Sequence, residues 1–268
     1  MTTPPPSDSG RWSDLSTRVL SGAVMVVVGL WAVWMGQDVF HVFVALVCGA
    51  MVWELVLMLS PATRQIALQL GALAGAAVLL AIYLPAIFAL PVLIAPALVG
   101  FGQLKQNRMI YLVFTALVLL AGYGMMSVRD DLGFSWMLWL VLVVVITDIA
   151  GYFAGRMIGG PKFWPSISPK KTWSGTSAGW IGAGIIGLIF ALYTDTGLEL
   201  VAISMIVAFA SQLGDIAESF IKRKMGVKDS SSLIPGHGGL LDRFDGMLGA
   251  SVFLLVLMQF IGFPPGLV

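Results

Sequence analysis

The chain has 268 residues, 58% of them hydrophobic and 11% charged, with a mean hydropathy of +0.93. Soluble domains carry about 25% charged residues, so no water-facing surface can be built here, and a soluble enzyme, a disulfide scaffold and a disordered chain are excluded. The 15 basic and 14 acidic residues leave a net charge of +1, and nothing points to a nucleic-acid partner.

The composition is that of an all-α, polytopic integral membrane helical bundle. In chain order, residues 1–18 begin Pro-rich and read as a disordered cytoplasmic N-terminus, and 19–268 as a single transmembrane domain. A bilayer-crossing helix needs about 20 mostly apolar residues. Nine segments qualify: 19–36, 39–59, 66–84, 86–101, 109–127, 135–155, 178–194, 199–214 and 247–263. The first follows Arg11 and Arg18 like a signal peptide. It lacks a small-residue cleavage site, and further apolar segments follow, so it reads as a retained span. Near Pro85 one apolar stretch reads as two short helices, with a re-entrant pair as the alternative. Cys48, the single cysteine, sits in an apolar run and reads as a small core residue. There is no repeat of 20–50 residues and no soluble domain.

Lys and Arg are retained on the cytoplasmic side. With the N-terminus inside, the nine spans leave Arg129 as the one basic residue outside. Two polar stretches, 156–177 and 215–246, then face the cytoplasm. The absence of organelle-targeting features favours a bacterial inner membrane.

Charge inside a span is costly, about 2.5–3.5 kcal/mol at a helix centre on insertion scales. Glu54 lies late in the second span, Asp148 late in the sixth, Asp215 and Glu218 at the end of the eighth. Glu54 stands apart and reads equally well as an interface carboxylate paired with a neighbouring base. Ser211, Asp215, Glu218 and Lys222 are spaced 4, 3 and 4, so they share one face if the eighth helix continues past Gly214. Asp242 and Asp245 are three apart, precede an apolar run and fit the first turn of the ninth helix, where acids are favoured. Between these acids lie Lys222, Arg223, Lys224, Lys228 and the run Pro235-Gly236-His237-Gly238-Gly239.

Carboxylates from two helix ends are the ligand type that Mg²⁺ takes. Fixed cations with Gly-rich backbone suit a polyphosphate. The bland alternative is a cytoplasmic loop whose acids and bases simply balance. The other polar stretch, 159–175, also gathers cations, hydroxyls and glycine, with Trp164 and Trp173 as interfacial anchors. Gly151, Gly155 and Gly159 read as close helix packing. His41 is given no role, and His237 is either a phosphate donor or a loop-shaping group.

These residues resemble a known family. Ser219-Phe-Ile-Lys222-Arg223, four residues, Lys228-Asp229, then Ser231, Ile234-Pro235, His237-Gly238-Gly239 and Asp242-Arg243-Phe244-Asp245 are similar to the signature of the phosphatidate cytidylyltransferases (CDP-diacylglycerol synthases), with every fixed position filled. Asp148, Tyr152, Gly155 and Arg156 resemble the family's Asp…Tyr…Gly-Arg helix end. Ser168-Pro169-Lys170-Lys171-Thr172 resembles its Ser-Pro-x-Lys-Thr loop. The match is strongest over 145–250. It departs at Ser174, where most members carry Glu, and at Gly151, where they carry another small residue.

The resemblance implies that CTP and phosphatidic acid become CDP-diacylglycerol and pyrophosphate, in a homodimer set among membrane lipids. It implies in-line attack of a lipid phosphate oxygen on the CTP α-phosphorus, which positioning and charge neutralisation can drive without a general base. On it, Asp215, Asp242 and Asp245 hold Mg²⁺, and the number of carboxylates allows a second cation. Lys222, Arg223, Lys228 and Arg243 neutralise phosphates, and Ser168, Lys170, Lys171 and Thr172 form a second wall. Ser219, His237, Gly238 and Gly239 belong to the nucleotide side, with Asp148, Tyr152, Glu218 and Asp229 as further polar groups. Two other classes stay open. A secondary transporter would place polar groups at the bilayer midplane with internal symmetry; a CTP-using lipid kinase would transfer the γ-phosphate and release CDP.

Overall fold

The computed structural model describes residues 8–194 and 196–265, with side chains described from residue 16 onward. Within them lie nine helices: α1 (Asp8–Met35), α2 (Gln37–Leu59), α3 (Arg64–Tyr83), α4 (Ala86–Gln103), α5 (Arg108–Ser127), α6 (Phe134–Met157), α7 (Trp173–Tyr193), α8 (Glu199–Lys224) and α9 (Leu241–Leu257). A π-helical turn, Val128–Leu132, extends α5, and β1 (Lys162–Trp164) pairs antiparallel with β2 (Ser168–Thr172). Eight helices are long and apolar enough to cross a membrane. The ninth, α9, has 17 residues.

The helices follow the nine expected spans, with differences at polar ends. α7 begins at Trp173, α8 runs on to Lys224, and α9 starts at Leu241 and stops at Leu257. Hydropathy alone cannot see the added turns of α8 and α9, whose polar residues bond one another: Lys222 joins Glu218 and Asp242. Leu84, ahead of Pro85, is extended (φ −92°, ψ 153°), so α3 and α4 are separate helices. Of the segment 1–18, residues 1–7 lie outside the described residues, and from Asp8 the backbone is already in α1, not the disordered tail read from composition.

Helices in lipid associate through close packing rather than a hydrophobic force between them. α2, α3, α4 and α5 pack into one group and α6, α7, α8 and α9 into another, joined chiefly where α5 lies on α9. α1 stands at the margin, against α2 and α6. Trp139, Tyr111, Phe40 and Leu140 are among the largest fully buried side chains, and Cys48 is buried beside them.

The two ends of the bundle differ. At one end Arg129, from the π-turn, donates to the carbonyls of Val33 (2.6 Å) and Trp34 (3.2 Å), closing the C-terminus of α1. Beside it His41 is buried, with Nε2 2.7 Å from an Asp130 oxygen and Nδ1 3.1 Å from the Tyr83 hydroxyl, which donates to Asp38. This histidine thus ties α2, α3 and the π-turn together. The other end carries the remaining basic residues, the hairpin and the 225–240 loop, and there Asn107 donates to the Leu59 carbonyl.

Candidate active site

Two glycine crossings build the site. On α8, a Cβ at Gly214 would overlap the Asp245 carbonyl, and on α9 one at Gly249 would overlap the Ala210 carbonyl. The backbones therefore touch, and Asp215 and Asp245, each beside the contact, are drawn together. Asp148 on α6 lies within electrostatic reach of both. Lys171 places its ammonium 2.5 Å from an Asp215 oxygen, and the Ser219 hydroxyl donates to the other at 3.2 Å. Ser211, one turn before Asp215, is buried with its hydroxyl unpartnered, against Gly246 of α9.

The second crossing joins α6 to α7. A Cβ on Gly175 would come 2.5 Å from the Gly151 carbonyl and 3.3 Å from the Gly155 Cα. Gly159 takes no part: it has φ +66° and turns the chain into the hairpin. β1 and β2 pair Lys162 with Thr172, and Phe163 stacks edge-on against Trp173 at 4.7 Å. Thr172 caps α7, its hydroxyl accepting from the Gly175 N–H at 3.2 Å. Ser174, where a glutamate was expected from the resemblance, donates to the Gly159 carbonyl and sits 3.0 Å from the Thr172 hydroxyl. It closes the base of the hairpin.

Between α6, the hairpin, α7 and α8 opens a cavity of about 450 Å³, within the usual range for small-molecule sites. Asp148, Tyr152, Arg156, Lys170, Lys171 and Asp215 line it, and the N-terminus of α7 borders it with Thr172, Gly175 and Thr176. A helix N-terminus beside lysines and an arginine attracts phosphate. Arg156 donates to the Tyr152 hydroxyl at 2.9 Å. Gln212 bridges the Trp180 indole and the Thr176 carbonyl at the cavity's inner edge.

Several of the expected site residues are engaged with other parts of the protein. Asp242, expected among the metal ligands, has both oxygens engaged. One takes the Lys222 ammonium at 2.7 Å, and the other accepts from Ser230 N–H, Ser230 Oγ and Gly239 N–H, each at 2.8 Å. It staples the 225–240 loop to α9. Lys222, expected at the phosphates, is held between Asp242 and the fully buried Glu218. Its charge is spent joining α8 to α9, because two buried acids need a counter-charge. His237 turns toward α1, its Nδ1 2.8 Å from the Ser21 hydroxyl, which also donates to the Pro235 carbonyl. The loop-shaping alternative therefore describes it. Arg243 donates to the His237 carbonyl at 3.0 Å and lies within electrostatic reach of Asp148. Arg223, Lys228 and Asp229 are exposed, and they and Ser168 lie outside the cavity lining. Gly238 (φ +81°) turns the loop, its carbonyl accepting from the Ile234 N–H at 2.8 Å.

Glu54 was not expected in the site. It is fully buried and accepts from Ser231 Oγ (2.6 Å), Leu240 N–H (3.0 Å) and Leu241 N–H (2.8 Å), with Ser230 Oγ 3.4 Å away. The one signal in the sequence was an acid within an apolar span. Among the described residues no three His, Cys, Asp or Glu side chains stand in a ready-made ligating set, and Lys171 holds the position beside Asp215.

Comparison with known proteins gives one consistent result. Residues 16–261 match the family described as the cytidylyltransferase family. The phosphatidate cytidylyltransferase of Brucella suis biovar 1 is 36% identical over 255 residues, covering 90% of this chain and 92% of the relative. That of Bacillus subtilis is 28% identical over 91% of this chain and 98% of its own length. That of Helicobacter pylori is 38% identical over 52% of this chain and 53% of its own length.

Proposed function

The chain belongs to the cytidylyltransferase family, and on that premise we propose that it converts CTP and phosphatidic acid to CDP-diacylglycerol and pyrophosphate. The observation that carries the reading is the meeting of Asp215 and Asp245 at the Gly214–Gly249 crossing, beside a cavity walled by Lys170, Lys171, Arg156 and the α7 N-terminus. Acid on one side and base on the other is what a polyphosphate–metal complex requires.

The charge pattern supports an inner-membrane protein whose site faces the cytoplasm, where CTP is dissolved, because the basic residues other than Arg129 gather at the site end. Lys170, Lys171 and Arg156 meet the triphosphate, and the positive end of the α7 dipole adds to their field. Arg243, steadied by the His237 carbonyl, meets the lipid phosphate. A phosphate oxygen of phosphatidic acid then attacks the α-phosphorus, the bond to the β-phosphate oxygen breaks, and pyrophosphate leaves. No side chain need take a proton, since the lipid phosphate is already an anion.

Asp215 and Asp245, with the buried, unpartnered Ser211 hydroxyl one turn before Asp215, offer oxygen donors of the kind Mg²⁺ takes. Asp215 and Asp245 would hold the ion, with Asp148 beside them and Asp242 kept to the loop. When bound, the ion supplies charge neutralisation at the attacking and leaving oxygens. Lys171, paired with Asp215, holds that carboxylate in place until phosphate competes for its ammonium.

The test is transfer of label from ring-labelled CTP, with phosphatidic acid and Mg²⁺ in mixed micelles. Cytidine label is expected in the organic phase, with one pyrophosphate released per lipid. Ring label left in water as CDP while the lipid gains phosphate would make the protein a kinase instead.

A further inference from the structure

The carboxylates of the site stand on α8 and α9, but the group that fixes where α9 begins comes from α2. No side chain of its own caps α9 at Leu240. The first backbone donors of that helix, the N–H groups of Leu240 and Leu241, are taken instead by Glu54, at 3.0 and 2.8 Å. An anion at a helix N-terminus is favoured both by the free N–H groups and by the helix dipole. The same carboxylate takes the hydroxyl of Ser231 at 2.6 Å, so one buried acid holds the loop and the helix it feeds. Gly239 leaves room for it: a Cβ there would come 2.5 Å from one Glu54 oxygen and 2.7 Å from the other.

We propose that Glu54 is a positioning residue, whose carboxylate sets the start of α9 and so the place of Asp245 against Asp215. The role presupposes the metal-assisted cytidylyl transfer proposed above. Asp245 lies one turn into α9, and Asp242, between it and the cap, bonds Ser230 of the same loop and the adjacent Gly239. A helix start held from outside cannot rotate or slip without breaking the Leu240 and Leu241 bonds. Groups behind metal ligands change metal affinity by about 10–100-fold when they are lost. Glu54 touches neither substrate in this arrangement and acts through α9 alone.

Glu54→Gln keeps size and shape but offers an NH₂ to N–H donors, so one bond is replaced by a repulsion. The readout is the Mg²⁺ concentration that half-stabilises detergent-solubilised protein against heat, measured beside lipid labelling from CTP. A midpoint raised about tenfold is expected, with turnover reduced and the unfolding temperature in EDTA showing that the chain is folded. A purely structural role would lower the active fraction and leave the midpoint alone. Glu54→Asp, which keeps the charge on a shorter arm, is expected to shift the midpoint less. If Glu54→Gln does not fold, Glu54→Asp carries the test, with a smaller shift of the midpoint expected and an unchanged midpoint counting against the role. An unchanged midpoint in a folded variant would overturn the role. Wild-type protein that labels no lipid would overturn the cytidylyl-transfer reading instead, while the midpoints would still compare the positioning role on its own.

Discussion

The two ends of this bundle are built from the same kinds of side chain and use them in opposite ways. At one end Arg129 closes α1, and Asp130, His41, Tyr83 and Asp38 form a chain in which every group has a partner. At the other, Asp148, Asp215 and Asp245 stand within electrostatic reach of one another around one lysine, and a buried serine hydroxyl has no partner. A closed polar network holds helices together, whereas an open one stores an unmet need for positive charge. Polar satisfaction separates the end that fastens from the end that binds.

The contrast breaks most sharply at Asp245. Asp245→Asn is expected to cut lipid labelling at least about a hundredfold while raising the unfolding temperature in EDTA, because one of three like charges is gone. Turnover close to wild type would remove Asp245 from the reacting centre. At the closed end the effect should invert. Asp130→Asn takes the carboxylate from buried His41 and is expected to cost about 1–3 kcal/mol of stability, with labelling per folded molecule unchanged; a loss of turnover in the folded variant would mean that the two ends are coupled. The smallest effect is reserved for Lys105, an exposed residue between α4 and α5 at the site end. Lys105→Ala should stay within about 0.5 kcal/mol of wild type and keep full activity, and a defect there would show that basic charge anywhere at this end serves the reaction.

Much of this was legible in the sequence. Nine apolar segments correspond to nine helices among the described residues, and because α8 does run past Gly214, the 4, 3, 4 spacing of Ser211, Asp215, Glu218 and Lys222 puts them on one face. Lys170, Lys171, Tyr152 and Asp148 were named and line the cavity. What stayed hidden was the division of labour among like residues. Asp242 and Asp245 look equivalent along the chain, yet Asp242 faces the backbone donors of its own loop and Asp245 faces Asp215. Lys222 looks like a phosphate ligand until Glu218 and Asp242 are seen on either side of it. Glu54 could not be placed because its partners lie some 180 residues away, at Ser231, Leu240 and Leu241. Spacing reports which residues share a helix face, and only the tertiary fold decides what that face meets.

The crossing of α6 and α7 has a further consequence. Where Gly151 meets Gly175, main chain rests on main chain, and the short Thr172 side chain fills the space beside Gly155. The distance from α6, which bears Asp148, to the N-terminus of α7 is therefore a rigid gauge, set by the girth of two closely packed helices. The hairpin above can be rewritten, as Ser174 already shows, and the slot beneath keeps its width.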